Sequence, residues 1–310
     1  MNFESFLREA GLIPGEIECG RWIRCATESH PRKKNGSYKL APDGLVGWAT
    51  NFESGGLMTW RPEGSDAPAK VDHVAIAWRA AQARKALIKA TTFARAFYAE
   101  CKPLRNSHPY LESHRLTMAG CFGLKIDSDG WLVVPVLLGT NVISVQRISP
   151  TGVKRFWPGA SVKAGSYTVE RKGASITVLC EGLATGLAIF ACAPLTRIVV
   201  CFDAGNMPKV AENLSVRGLV TVAADNDKQT EGRVGANPGL IAAQAAASRL
   251  GCGIAIPEGI TGTDWCDLRN ERFDALVASR PAARDSSLRR AVDAEIAAAI
   301  FRNTTFVRRS

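Results

Sequence analysis

The chain has 310 residues, 46% hydrophobic and 22% charged, enough to bury more than one core and unlike a disordered, collagen-like or disulfide-stapled small protein. Lysine and arginine number 39 against 29 acids, a formal charge of +10, which favours an anionic partner, with nucleic acid first. Nine cysteines without a CxxC pair fit reduced thiols, and neither an apolar run of 18 residues nor a basic-then-apolar start to MNFESFLREA occurs, so a cytoplasmic protein without membrane association is expected.

In chain order, residues 1–64 are rich in Gly, Trp and the turn pairs Asn35-Gly36, Asp43-Gly44 and Gly55-Gly56, and read as short strands of a small module. EGSDAPAK at 63–70 reads as a linker. Residues 65–121 form a helical connecting region, with one long helix or two shorter ones over Val71–Cys101 and apolar positions at Ala75, Trp78, Ala81, Ala86, Phe93 and Phe97. Residues 122–174 alternate as strands in GWLVVPVLLGTNVISVQRIS, with turns near Asp129-Gly130, Gly139 and Gly152. Over 175–270, apolar runs (SITVLC, RIVVCFD, GLVTVAAD, GIAIPE) are separated by helical segments. That rhythm predicts strands buried on both faces, hence an α/β fold with a parallel sheet flanked by helices. Asn237-Pro238 supplies a cap and first-turn proline for one of these helices, and Gly251 its stop. Within 271–310, the stretch from Ser286 (SSLRRAVDAEIAAAIFRN) reads as an amphipathic helix that packs on the preceding domain or docks a partner.

Residues 181–268 carry 6 basic and 9 acidic side chains inside a chain that is otherwise strongly positive. Clustered carboxylates repel unless a hard cation neutralises them, and basic flanks can then hold a polyanion against it. The acids fall where the strands of a parallel sheet should end: Glu181 after the first, Asp203 after the second, Asp225 and Asp227 after the third, Asp264 and Asp267 after the fourth. Loops and helix N-termini converge at that edge, so ligands gather there. In Asp225-Asn226-Asp227 an extended backbone points both carboxylates the same way, and Gly182 permits a tight turn after Glu181. Such an oxygen-rich set suits Mg²⁺ or Mn²⁺ and phosphoryl or nucleotidyl transfer. The bland alternative, helix capping, covers Asp203 comfortably.

Glu181-Gly182 after one strand and Asp225-x-Asp227 after a later one resemble the two signatures of the Toprim domain. Upstream, WLVVPVLLGTNVISVQRISPTGVKRFWPG is similar to the basic strand-rich subdomain that precedes Toprim in bacterial-type primases. RCATESHPRKKNGSYKLAPDGLVGWATNFESGG and HPYL at 108–111 resemble the N-terminal part of Toprim primases of plasmids and phages. The resemblance implies a Toprim-like sheet over 175–270, a basic subdomain over 122–174 and a small ribbon-like module over 1–64. It implies a DNA primase that makes short RNA primers on single-stranded DNA for plasmid or phage replication or conjugation, with NTPs as substrates and a replicative helicase as candidate partner. Glu181, Asp225 and Asp227 would be the catalytic metal ligands, with Asp264 a further metal carboxylate and Asp267 a lesser candidate. Arg147, Lys154, Arg155 and Lys163 would contact template or nucleotide. Trp157 is open between base stacking and a core role.

Two departures qualify the resemblance. Thr185 stands where many relatives have an acid four residues after the glutamate. Cys19, Cys25 and His30 fall short of the four ligands of structural zinc, so the module is expected to hold no zinc. A catalytically weak nucleic-acid-binding accessory protein and a Toprim nuclease therefore stay open as alternatives. The absence of GxxxxGK[ST], HExxH and GxSxG argues against a P-loop motor, a zinc protease and a serine hydrolase.

Overall fold

The computed structural model describes residues 1–62, 73–228, 232, 237–280 and 285–309; the expected linker over 63–70 lies outside them. The chain divides into two units, Met1–Ala83 and Arg84–Ser310.

In the first unit, helix α1 (Phe3–Glu9) is followed by strands β1 (Leu12–Ile13), β2 (Ile23–Thr27), β3 (Gly36–Leu40), β4 (Gly47–Asn51) and β5 (Met58–Trp60), an antiparallel sheet in chain order. Asn2 starts α1 by accepting the Ser5 N–H at 2.8 Å. The helix then lays Phe3 and Leu7 on one sheet face, where Leu12, Cys25, Tyr38 and Ala49 complete a core. The three residues weighed as zinc ligands have separate surroundings. Cys25 belongs to this core, Cys19 is exposed, and His30 Nδ1 lies 2.9 Å from Glu53. The Glu53 carboxylate also accepts from Ser29, Thr27 and Asn35, and these bonds hold its pKa down at about 2.

Helix α2 (His73–Glu100) spans the expected helical stretch in one piece, but its apolar positions do not form a buried stripe. Trp78 is 63% and Phe93 54% exposed, and burial begins near the end of the helix, at Ala94 and at the packed Phe97 and Tyr98.

The second unit holds two sheets. Strands β6 (Lys102–Pro103), β7 (Lys125–Ile126), β8 (Leu132–Leu138), β9 (Asn141–Ile148) and β10 (Lys154–Phe156) form an antiparallel meander, with α3 (Pro109–Ser113) between β6 and β7. One face, with Leu132, Val134, Val136 and Ile148, joins the main core. The other, with Val133 and Val145, is covered by Phe97, Tyr98 and Trp157, which is why β8 is apolar on both sides instead of alternating.

The last sheet is built from β11 (Tyr167–Glu170), β12 (Ile176–Cys180), β13 (Thr196–Val200), β14 (Val216–Ala223), β15 (Gly253–Ala255) and β16 (Thr305–Arg309). Its helices are α4 (Leu183–Cys192), α5 (Met207–Asn213), α6 (Pro238–Leu250), α7 (Trp265–Ser279) and α8 (Asp285–Phe301). The order is β11-β13-β12-β14-β15, with β16 along the first half of β14. The four strands β12 to β15 are parallel, while β11 and β16 run antiparallel to their neighbours. Residues 167–170, read with the preceding subdomain, pair with β13 instead. The parallel strands carry apolar residues on both faces because α4 and α8 cover one face and α5 and α6 the other. Asn237, Pro238 and Gly251 bound α6 as expected, with Gly251 at φ +68°. Of the two roles open to the C-terminal helix, the structure shows packing: Leu288, Val292, Ile296 and Ile300 of α8 are buried, against α4 and α7.

Candidate active site

Cys180 at the end of β12 pairs with Ala223 at the end of β14 and with Val200 at the end of β13, so the loops after all three strands open on the same edge. Glu181 is the first residue of its loop, and its carbonyl accepts the Phe202 N–H at 2.8 Å, tying the first two loops together. In the third loop Asn226 faces inward and is buried. Its N–H meets the Thr263 carbonyl at 2.7 Å, its Nδ2 the Pro257 carbonyl at 3.1 Å, and its Oδ1 accepts from Asn237 at 3.2 Å. The buried asparagine thus pins the loop at the point between its two neighbours, Asp225 and Asp227.

Helix α6 comes up against this loop at a residue without a side chain. A Cβ at Gly239 would lie 2.8 Å from the Asp225 carbonyl oxygen and 3.1 Å from Asp227 Oδ2. The Gly239 N–H donates to Asp227 Oδ2 at 3.3 Å.

The electrostatics are those of crowded like charges. Burial, followed by the charges of Glu181, Asp264 and Asp227, pushes the Asp225 pKa up to about 8, and its Oδ1 is enclosed with no hydrogen-bond partner. The Glu181 pKa is raised by burial and then by Asp227 and Asp203. Burial also raises Asp264, against the Asp267 and Cys266 N–H groups that favour its charged form. Lys154 opposes the crowding, its charge lowering the pKa of both Glu181 and Asp225. Among the described residues no three His, Cys, Asp or Glu side chains stand at ligand spacing. The carboxylates are neighbours that repel, and an all-oxygen donor set with an orphaned buried oxygen fits a hard divalent cation.

The remaining acids have other work. Asp264 caps α7 by accepting from Cys266 at 2.7 Å and Asp267 at 2.9 Å, while Asp267 Oδ2 reaches back to the Thr263 N–H at 2.9 Å and the Asp264 N–H. This capping box commits Asp267 to the backbone, whereas Asp264 also lies close enough to raise Asp225. Asp203 caps its own turn through the Asn206 N–H at 2.8 Å. Thr185 is buried beside Asp264 and helps to hold it charged, although its Oγ1 makes no well-formed hydrogen bond.

The basic candidates part company. Lys154 and Arg155 are adjacent on the edge strand β10 and so point to opposite faces. Lys154 faces the carboxylates, its ammonium 5.8 Å from the Tyr110 ring centre. Arg155 lies on the opposite face with Arg147, its cross-strand partner, both over the ring of Trp131. Arg147 is half-buried: it binds Asp127 at 2.7 Å and Asp129 at 2.9 Å, and the Asp127 side chain is 2% exposed. The acids of this ion pair lie 18 and 20 residues earlier in the chain. Arg147→Ala leaves the buried Asp127 carboxylate with only the Asp129 and Trp131 N–H groups and is expected to cost about 3 kcal/mol in urea unfolding, partly recovered by Arg147→Lys. Lys163 is exposed on the loop before β11. Trp157 packs on Phe97, ring centres 4.7 Å apart, in the small core beneath the meander, which answers for its core role.

Sequence reasoning missed the aromatic residues of the site. Tyr110 is placed beneath Lys154 by α3, whose start His108 caps through Nδ1 while its Nε2 lies 3.0 Å from the Gly130 carbonyl. The HPYL segment pointed there without giving the reason. Phe156 and Phe202 also meet at the site's border, ring centres 6.0 Å apart.

Residues 176–273 match the family described as Toprim domain. This segment is a Toprim domain. Over 274 residues the chain is 29% identical to a DNA primase TraC of Escherichia coli, covering 81% of this chain and 25% of the relative. A second DNA primase TraC of Escherichia coli is 26% identical over 275 residues, covering 81% and 19%. The chain thus spans a quarter or less of the length of these curated relatives. The primase fragment of the bacteriophage T7 primase-helicase protein aligns with 84% of this chain and 99% of its own, at a TM-score of 0.39 and 11% identity. The resemblance to Toprim primases drawn from EG, DxD and the upstream segments is borne out. The Toprim edge, moreover, is the one that bears Glu181, Asp225 and Asp227.

Proposed function

We propose that this chain is a primase that synthesises short RNA primers on single-stranded DNA by metal-dependent nucleotidyl transfer. The observation that carries the reading is the meeting of two oppositely charged parts: the carboxylates at the Toprim edge, and Lys154 facing them from the neighbouring basic sheet. Glu181, Asp225 and Asp227 would hold Mg²⁺ or Mn²⁺, with Asp264 behind Asp225. Bound there, the ions supply charge stabilisation to an attacking 3′-hydroxyl and to the departing pyrophosphate.

The protein's own part is to position and to balance charge. The inward Asn226 keeps the two aspartates fixed relative to Glu181, so little reorganisation is left for the reaction. Lys154 attracts the triphosphate and favours the ionised state of the carboxylates that must bind the ions. Arg155 and Lys163, both exposed, offer positive charge to the phosphates of a template strand. The substrates are then NTPs and single-stranded DNA, and a replicative helicase is the natural partner for a primer-making chain. No helix among the described residues is long and apolar enough to cross a membrane.

The test is incubation of the chain with labelled NTPs, Mg²⁺ or Mn²⁺ and a random-sequence single strand. Short labelled RNA products support the proposal. Shortened template without products identifies a nuclease, and metal-independent DNA binding with neither outcome identifies an accessory protein.

A further inference from the structure

Edge strand β10 carries a second side chain toward the Toprim edge that charge does not explain. Phe156 is two residues after Lys154 and therefore on the same face, the face whose neighbours on β9, Gln146 and Ile148, are buried. Phe156 is nonetheless 36% exposed. Its only ring neighbour among the described residues is Phe202, edge-on at 78°, which leaves part of the Phe156 ring to solvent. Phe202 is itself held in an unusual way. It is a non-glycine residue at φ +72°, 8% exposed, one residue before Asp203 and bonded through its N–H to the Glu181 carbonyl. A bulky residue in the left-handed region costs free energy that the surroundings must offset. Here that conformation sets an aromatic ring at the border of the carboxylate cluster.

The geometry points to Phe156, backed by Phe202, as a stacking shelf for the nucleobase of the bound nucleotide. This inference rests on the nucleotidyl-transfer reading above. Two residues of strand advance roughly 6.6 Å, comparable to the span of a nucleoside from phosphate to base. A phosphate drawn to Lys154 therefore brings a base alongside Phe156. Stacking on an aromatic face is tolerant of sequence, as a template-directed enzyme requires at this position. The exposed ring is thus paired with a cation at the spacing of one nucleotide, beside the groups proposed to handle its phosphates.

Phe156→Ala, Phe156→Leu and Phe156→Trp in the full chain test the shelf through two readouts, KM and kcat for NTPs in primer synthesis and equilibrium binding of ATP by calorimetry. Phe156→Ala is expected to raise KM and weaken ATP binding about tenfold, with kcat changed less than about twofold. Phe156→Leu, of similar apolar bulk without a ring face, should behave like the alanine variant, and Phe156→Trp like the wild type. Unchanged ATP binding in Phe156→Ala, or full recovery by leucine, overturns the shelf. If the wild-type chain makes no primers, the nucleotidyl-transfer reading fails, and the calorimetric comparison still decides whether Phe156 stacks on a base.

Discussion

Asp225→Asn is expected to lower primer synthesis about a thousandfold, roughly 4 kcal/mol of lost transition-state stabilisation, while making the metal-free protein more stable at pH 8. Both effects come from one placement. The Asp225 carboxyl is enclosed among Glu181, Asp264 and Asp227, and its pKa is raised by burial and by those charges to about 8. An unfolded chain releases this proton near the ordinary pKa of 3.8. Between about pH 4 and pH 8 the folded state holds a proton that the unfolded state has lost, so metal-free stability falls as pH rises through that window and levels off above it. Asparagine removes the component. Melting curves without metal should therefore decline from pH 5 to pH 8 in the wild type more than in Asp225→Asn. Mg²⁺ should raise the wild-type melting temperature most at the alkaline end, where protons no longer compete for the oxygens, and should leave the variant nearly unchanged. Equal Mg²⁺ stabilisation of both proteins would remove Asp225 from the ligand set.

Gly239→Ala is expected to lower stability by about 1–3 kcal/mol and primer synthesis by about 10- to 100-fold, although residue 239 bears no reactive group. Its new methyl would stand 2.8 Å from the Asp225 carbonyl and 3.1 Å from Asp227 Oδ2. Neither side can yield easily. The loop is pinned by Asn226, and α6 by Asn237, whose Oδ1 accepts the Leu240 N–H at 3.1 Å and the Asp227 N–H at 3.2 Å. The same change at Gly173, where nothing stands within 4 Å but φ is +80°, should cost stability alone. A Gly239→Ala protein with wild-type priming would show that the Asp225–Asp227 loop is softer than its hydrogen bonds imply.

These contrasts show which parts of the site the sequence carries. The alternation of Asp225, Asn226 and Asp227 is a local property of extended chain, and Glu181-Gly182 directly follows an apolar run, so both were legible. So was the parallel sheet, whose strands are apolar because both faces are covered. Capping partners were harder to place. Asp264 and Asp267 look alike in TGTDWCD, and only the backbone geometry at the start of α7 separates the acid near Asp225 from the one committed to the Thr263 amide. Long-range neutralisation was not legible at all: Arg147 reads as a surface cation until β7 and β9 bring Asp127 to it. The apolar spacing of α2 pointed to a helix without saying which positions are covered, and a helix that packs chiefly through its last turns leaves Trp78 and Phe93 in solvent. Phe156 gave no signal, and Tyr110 only the HPYL resemblance without a role, because an aromatic residue in a strand or short helix is most often simply core.

The hairpin that delivers Lys154 and Phe156 turns at Ser149–Gly152, where Ser149 accepts the Val153 N–H on its hydroxyl and donates its own N–H to the Val153 carbonyl, both at 2.9 Å. A single residue inserted or deleted in that turn would roll the outer strand over, sending Arg155 inward and both Lys154 and Phe156 to the opposite side. Composition and net charge would barely change, yet the carboxylate edge would lose Lys154 and Phe156 at once. Loop length here is thus a determinant of chemistry, and natural variation in this short connection should be far more constrained than its solvent-facing position suggests.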